Sequence, residues 1–400
     1  MRLSSVQIFQ QGISAILQQQ AKVQHTEQQL ATGRRVLNPS DDPAAAVQIL
    51  DLTEDLAQVD QYNRNGDLAS GQLALEESAL TGVGNVLQRV RELVVQANNA
   101  SQTPETRRSI ATEISARLDE LQGLANTRDA SDEFIFAGFQ ASTEPFVRQG
   151  DNFSYRGDDG QRRVQLASNT QVATRDSGRD VFMAVATGKG GFEVQAAATN
   201  GGTAVAGSRS VSGSFVPDTY TLTFSQPNPG DPVTWQVEDA ALAVVASGTY
   251  APGETISFGG ASIRFDGAPA DGDSFAVAPA PQRDMFTSIQ DIVDALEGSG
   301  ASAPEVAALH NALGGALDDM DRAIDHVLQV RADVGVRMNH VQSQRELNDS
   351  FNLQLRESLS QVQDLDYAEA ISRLNLQMTA LQAAQQAYVK VQGMSLFNYL

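Results

Sequence analysis

Cysteine is absent from the 400 residues, which excludes disulfides, thiolate metal sites and thiol nucleophiles together. Lysine occurs only as Lys22, Lys189 and Lys390, and Lys plus Arg total 28 against 49 for Asp plus Glu, a formal net charge of -21. That balance argues against a nucleic-acid partner and against an anionic membrane surface, since both reward cationic side chains. No apolar stretch approaches the ~18 residues needed to span a bilayer. The opening MRLSSVQIFQQGISAILQQQ breaks its apolar positions with Gln every two or three residues, so no cleavable secretory signal is expected. Aromatic residues make up only 6%. These absences leave a mainly helical chain whose business is contact with other chains.

Proline and glycine are unevenly placed. Residues 186–283 hold 14 of the 32 glycines and 8 of the 13 prolines, and there the apolar period drops to two. Thr219–Phe224, Val233–Val237 and Ser274–Val277 read as strands, and Ile256, Phe258, Gly259-Gly260, Ile263 and Phe265 as a hairpin with a two-glycine turn. The pattern predicts an inserted all-β domain, a sandwich or a barrel. A second β piece precedes it: Phe134-Ile135-Phe136, then Phe153-Ser154-Tyr155, an Asp158-Asp159-Gly160 turn and Val164-Gln165-Leu166.

The flanks keep a helical period. From Leu313 through Leu317, Met320, Ile324 and Val327 to Leu355, Leu359 and Val362 a strict 4-3 spacing holds, and eleven of its fifteen positions are apolar. Arg331, Arg345, Asn348 and Asn352 are its polar members, read as register control or a solvated edge. Ser302-Ala303-Pro304-Glu305 opens this segment as a capping box with proline in the first turn. At ~1.5 Å per residue the helix would run roughly 90 Å, too long to be covered by itself. Partners lie upstream: Pro43–Asn98 with Val83, Val86, Val90, Leu93 and Ala97, and a helix after Thr103-Pro104-Glu105 with Ile110, Ile114, Leu118 and Leu121. The fold expected is mainly α with inserted β: a long antiparallel bundle or coiled coil of N- and C-terminal segments around a small central all-β domain. The divisions are 1–42 and 364–400 as an outer pair, 43–185 and 284–363 as the bundle, and 186–283 as the insert.

The two ends match one another. Val6, Phe9, Ile13, Ile16, Val23 and Leu30 share a 3-4 alternation at the front, and Ile371, Leu374, Met378, Leu381 and Tyr388 share one at the back, where Asp366-Tyr367-Ala368-Glu369 is a capping box. Residues 1–33 carry nine glutamines but only Arg2, Lys22 and Glu27 as charges, and residues 367–400 carry only Glu369, Arg373 and Lys390. A solvated coiled coil normally puts Glu and Lys outside. A neutral glutamine face suits helices surrounded by copies of themselves, where charges would be desolvated. An ordinary two-helix tail with biased composition is the plainer alternative. On the first reading the apolar residues just named form an assembly interface, and both ends order fully on polymerisation. Between outer pair and bundle, Asn38-Pro39 and Asp42-Pro43 make a hinge: proline keeps the preceding residue out of helix, and Asp42 can cap the helix that Pro43 begins.

Those residues carry a resemblance. Leu30-Ala31-Thr32-Gly33-Arg34-Arg35-Val36-Leu37-Asn38-Pro39-Ser40-Asp41-Asp42-Pro43 resembles the N-terminal signature of the bacterial flagellin superfamily, and its Asn-Pro-Ser-Asp-Asp-Pro form resembles the hook-associated members more than filament flagellins. Asp364–Ala370, Ala380–Tyr388 and the terminal Ser395–Leu400 resemble the matching C-terminal signature. The resemblance covers roughly residues 1–185 and 284–400, leaving the insert unplaced. It implies a tubular polymer whose inner wall is the terminal helices, with the β domain outward. It also implies a ring of copies joining hook to filament, with the hook-side junction protein and flagellin as neighbours. An export chaperone on the C-terminal helix and export by the flagellar type III apparatus, without a cleaved signal, to an extracellular flagellum are implied too.

No catalytic constellation stands beside this. His25, His310, His326 and His340 are too dispersed; the last two, fourteen residues apart, would lie roughly 21 Å apart on one helix. Asp318-Asp319-Met320-Asp321 reads as a seam methionine between solvent-facing aspartates. Gly188-Lys189-Gly190-Gly191 lacks the spacing and Ser/Thr of a phosphate loop. No cofactor, metal, nucleic acid or membrane is expected. The function expected is a non-enzymatic structural adaptor of the flagellum. A filament flagellin with a short outer domain is the near alternative. An adhesin or glycan-binding protein using Tyr220, Trp235 and Tyr250 of the insert is the distant one.

Overall fold

The computed structural model describes residues 5–150, 152–189, 191–211 and 215–393. In chain order come α1 (Ser5–Thr32), α2 (Pro43–Ala97) and α3 (Pro104–Ala125), then two short hairpins, β1 (Phe146–Gln149) with β2 (Asn152–Tyr155) and β3 (Arg163–Ala167) with β4 (Thr170–Ala173). A π-helical turn, Arg179–Met183, leads to β5 (Val185–Ala186). The insert contains β6 (Phe192–Ala196), β7 (Val205–Val211), β8 (Tyr220–Ser225), β9 (Thr234–Glu238), β10 (Val244–Thr249), β11 (Glu254–Phe258), β12 (Ala261–Asp266) and β13 (Ser274–Pro279). β14 (Gln282–Arg283), α4 (Met285–Glu297), α5 (Ala303–Gln363) and α6 (Tyr367–Gly393) return the chain. Two units result: residues 1–65 with 343–400, and residues 66–342. α2 and α5 contribute to both.

In the second unit the apolar stripes meet. Leu73, Leu80, Val83, Leu87, Val90 and Val94 of α2, Ile114 and Leu118 of α3, Ile289 and Val293 of α4 and Leu313, Met320, Val327 and Val334 of α5 are buried in one core. Each such side chain contributes roughly 1.5–3 kcal/mol by leaving water, so this face rather than helix propensity holds the long helices. Start signals act as the residue types require. Thr103 Oγ1 accepts from Thr106 N (3.3 Å) while Thr106 Oγ1 accepts from Thr103 N (2.9 Å). Ser302 N donates to Glu305 Oε2 at 2.9 Å and Glu305 N to Ser302 Oγ at 3.5 Å, the reciprocal box read at that position. The seam arginine Arg331 meets Glu77 Oε1 of α2 through Nε (2.9 Å) and Nη2 (2.6 Å).

One sequence expectation fails here. Phe134-Ile135-Phe136 is not a strand: Phe134 makes a single bridge to Arg128, and Ile135 and Phe136 sit in a turn with their side chains buried. Phe136 packs edge-on to Phe182 (5.2 Å), beside Phe146 and Phe286, so aromatic burial produced a strand-like pattern without a ladder. The strands read at Phe153–Tyr155 and Val164–Leu166 form, each in a hairpin of its own. β2 returns along β1 and β3 along β4, while Asp158 Oδ1 accepts from Phe139 N (2.8 Å) and Gly160 N (2.9 Å) to fold the link between them.

The insert is a sandwich. A five-stranded antiparallel sheet, β10-β9-β8-β13-β6, faces a three-stranded one, β11-β12-β7. Alternate side chains of both, among them Leu222, Phe224, Val237, Ile256, Ile263, Phe265 and Phe275, fill the space between, with Phe265 and Phe275 centroids 4.9 Å apart. Gly259 and Gly260, at φ 53° and 83°, form the two-residue turn from β11 to β12, a conformation closed to most other residues. Tyr220 and Tyr250 are buried in this core and donate their hydroxyls to the backbone oxygens of Val216 (3.2 Å) and Gly267 (2.9 Å). They present no sugar-stacking surface.

The insert is clamped to α5. Buried Arg209 of β7 donates Nη1 to Asp318 Oδ2 at 2.7 Å. Asn311 joins Ala206 N (2.8 Å) to Ala204 O (2.9 Å), and Asp319 Oδ1 accepts from Gly188 N at 2.8 Å. The expectation that these aspartates face solvent is therefore wrong. The seam position of Met320 turns its two predecessors toward the insert, and only Asp321 turns to a half-exposed partner, Arg91 (2.5 Å).

Candidate assembly surface

In the first unit α1 and α6 lie side by side. Phe9 and Tyr388 rings are 5.0 Å apart. Gly12 lies beneath Tyr388, so close that an added Cβ would sit 2.9 Å from the ring. A cavity of about 200 Å³ opens there between Phe9, Ala15, Ile16, Ala384 and Tyr388. Further along, Gln19 donates to Gln377 O (3.1 Å) and Thr26 to Gln377 Oε1 (2.9 Å). Glutamine thus serves the pairing of the two helices as well as their outer faces, a use that composition alone did not reveal.

The residues singled out in the sequence divide by position. Val23 is buried, Ile16, Leu30, Leu374, Leu381 and Tyr388 are half-buried, and Phe9, Ile13, Ile371 and Met378 are exposed. Val6 lies outside the described side chains. Four residues were missed: Leu17, Leu376, Val389 and Val391, exposed at 58%, 73%, 65% and 52%. They lie off the 3-4 pattern, whose own members divide between the α1–α6 contact and the exposed face; apolar residues on the glutamine face were the available signal.

The hinge residues form one joint. Gly33, at φ 70°, ends α1, with its N–H on Gln29 O. Leu365 N donates to Gly33 O (2.9 Å) and Arg35 N to Gln363 O (2.8 Å), around an antiparallel bridge of Arg34 with Asp364. Arg35 Nη2 reaches Val362 O (2.9 Å) and Gln29 Nε2 reaches Arg35 O (2.6 Å). The break between α1 and α2 is therefore stitched to the break between α5 and α6. Pro39 and Asn38 are exposed, and Asn38 O accepts from Asp41 N (3.0 Å) to close a turn. Asp41 accepts from Asn38 N (2.9 Å) and Leu37 N (3.2 Å) and faces His25 (3.3 Å); the Asn38 N–H above all holds its carboxyl below the usual value. Asp42 caps α2 by accepting from Ala45 N (3.0 Å), directly before Pro43, and that bond lowers its pKa, with Arg35 assisting. Asp366 caps α6 through Ala368 N (2.9 Å) and Glu369 N (3.1 Å). Glu369 turns to Arg373 (3.9 Å) rather than closing the reciprocal box expected there.

Among the described residues no cluster of His, Asp and Glu has the geometry of a metal site, and no helix is long and apolar enough to cross a membrane. His310 Nδ1 lies 2.5 Å from Asn98 Oδ1, and His326 Nε2 2.8 Å from Asp180 O. What the first unit offers is a surface, an apolar-faced helix pair on a stitched joint.

Residues 4–141 match the family described as the bacterial flagellin N-terminal helical region, and residues 317–400 the bacterial flagellin C-terminal helical region. The chain belongs to the bacterial flagellin superfamily. Within it, the chain is similar to flagellar hook-associated protein 3 of Escherichia coli strain K12, 27% identical over 402 residues that cover 100% of this chain and 99% of that protein. It is similar to the crystal structure of Xanthomonas campestris FlgL at 33% identity and TM-score 0.72, covering 77% of this chain and 99% of that one. It is also similar to flagellar hook-associated protein-3 of Legionella pneumophila, at 30% identity and TM-score 0.75, covering 78% and 98%.

Proposed function

We propose that this chain is a structural subunit of the bacterial flagellum, a self-assembling adaptor that joins hook to filament and catalyses nothing. The observation that carries the reading is the apolar surface left open on α1 and α6. Ile13, Leu17, Ile371, Leu376 and Met378 are exposed along a pair with almost no charge, a state that water disfavours and packing against neighbouring copies relieves. Similarity to hook-associated protein 3 over the whole length supports junction rather than filament. In this reading α1 and α6 line the inner layer of a short ring of copies. The hook-side junction protein lies on one side and flagellin on the other. Final ordering of the terminal helices accompanies assembly. The same apolar face of α6 is what an export chaperone would cover before passage through the flagellar type III apparatus.

The test is reconstitution. Added to hooks that end in the hook-side junction protein, the purified chain should form a short cap and stop, after which flagellin polymerises onto it. Long filaments of this chain alone would establish the filament-flagellin alternative instead. Failure to bind such hooks, with a correctly folded chain, would reject both.

A further inference from the structure

The turn that leaves β6 holds a reactive dipeptide. Asn200-Gly201 is one of two Asn-Gly pairs in the chain, the other being Asn65-Gly66 inside α2. In such a pair the main-chain nitrogen readily attacks the preceding side-chain amide, because glycine puts no side chain in the way. Here both ends of the Asn200 carboxamide are taken by β13. Nδ2 donates to Ser274 O at 3.0 Å, and Oδ1 accepts from Ser274 N at 2.8 Å. Gly201 is exposed, yet its N–H is donated to Asp273 Oδ1 at 2.8 Å. Asp273 is 2% exposed and also accepts from Gly202 N (3.1 Å) and Ala270 N (2.8 Å) on Oδ2.

The fold does not ask for glycine at 201. Its φ lies outside the left-handed region, and an added Cβ would meet only Ala270 Cβ, at 4.0 Å. At Gly202 an added Cβ would come within 2.4 Å of Ala270 N, so there the fold does require glycine.

We propose that Asn200-Gly201 is a modification site that folding closes: the unfolded chain loses the Asn200 amide to attack by its own backbone, and the folded insert keeps it. In this step the Gly201 nitrogen bonds to Asn200 Cγ while the Cγ–Nδ2 bond breaks. Nδ2 leaves as ammonia, taking up the proton that Gly201 gives up. Water then opens the cyclic imide at either carbonyl, giving aspartate or its β-linked isomer. Folding blocks the attack twice. The carboxamide cannot turn its Cγ toward Gly201 N while β13 holds both its ends. Removing the Gly201 proton would also set an amide anion against the buried Asp273 carboxylate, a repulsion that water screens poorly there. The product does not fit back. Aspartate at 200 has no donor for Ser274 O and brings a second carboxylate beside Asp273. The isomer lengthens the main chain between Ala197, bonded to Ser274 O at 3.0 Å, and Thr203, bonded to Ala268 O at 2.7 Å. The change is therefore damage that strikes before the insert closes and then bars it from closing. The inference does not depend on the role given to α1 and α6.

The experiment holds the full chain at alkaline pH, folded in buffer and unfolded in urea. Mass spectrometry of its proteolytic peptides follows replacement of the Asn200 amide by hydroxyl. The unfolded chain should react at least about tenfold faster than the folded one. Gly201→Ala should melt like the parent, read through Trp235, the one tryptophan, which lies on β9 of the insert. In urea the same variant should slow the reaction of Asn200 at least about tenfold and leave that of Asn65 as it was. Asn200→Asp should lower the melting temperature of the insert. Equal rates at Asn200 in folded and unfolded chain, an unfolded rate indifferent to Gly201→Ala, or an Asn200→Asp insert that melts like the parent would each overturn the proposal.

Discussion

Glu76 is the side chain with most at stake. It is 1% exposed on α2, with Oε1 accepting from Asp176 N at 2.9 Å; Oε2 has no hydrogen-bond partner among the described residues. Asp176 is itself gripped by Arg337 of α5, Nη1 to Oδ1 at 3.0 Å, and by Gln161 Nε2 at 3.2 Å. Burial first, and the neighbouring Asp176 charge second, push the Glu76 carboxyl up from 4.5 to about 8. The folded chain therefore keeps a proton that the unfolded chain releases. Stability from this group is full below the unfolded value of 4.5, falls as pH rises, and is lost by about 8, at up to ~1.4 kcal/mol per pH unit. Glu76→Gln should therefore raise the melting temperature at pH 9 by several degrees and change it little at pH 5. Calorimetry at the two values checks this, and equal shifts at both would refute it. The sequence held a trace of this residue: Glu76 lies three after Leu73 and seven before Val83, on the apolar stripe. What no spacing shows is that Asp176, a hundred residues on, closes over it.

Helices were the most legible elements, because a 3-4 repeat fixes which side is buried whatever the partner. The Gly259-Gly260 hairpin was legible too, since its turn conformation is restricted to few residues. Strand partners around Asp158 were not, because pairing is a long-range choice that alternation leaves open. On α1 and α6 the repeat was legible but not which of its members would stay exposed, since spacing alone does not say how much of a stripe one partner helix covers. Three variants probe the terminal helix pair. Ile13→Asp or Leu381→Asp should stop polymerisation, read by light scattering and electron microscopy, while barely moving the main melting transition. A large fall in that transition would place them in the monomer's core. Gly33→Val puts a branched residue at φ 70° with its Cβ 2.9 Å from Tyr367 Oη. It should weaken the terminal helix pair by about 1–2 kcal/mol, seen as earlier loss of helical circular dichroism with the main transition kept.

The chain as a whole separates its parts along its length: an apolar pair at the termini, a deep core in the middle and an inserted sandwich. Deleting 1–33 or 367–400 should leave a soluble, cooperatively melting protein that does not assemble, and global unfolding would contradict the division. The insert is equally separable. It leaves the bundle between Ala186 and Gln282, which are already paired across β5 and β14. A short glycine-serine link replacing 187–281 should therefore preserve the calorimetric transition of the helices, because so short a closure costs little chain entropy. Its strands were visible in the period-two pattern and the glycine and proline density; its clamp to α5 was not, because Arg209 and Asp318 meet only once both elements are folded.

The stitching of Gly33 and Arg35 to Gln363 and Leu365 carries a mechanical corollary. Two separate swivels would let α1 and α6 twist past one another under load. Sharing one rung of backbone hydrogen bonds, they can only swing in concert, like a door whose two leaves hang on the same pin. A torque entering through either helix is thus handed to its companion within a few residues.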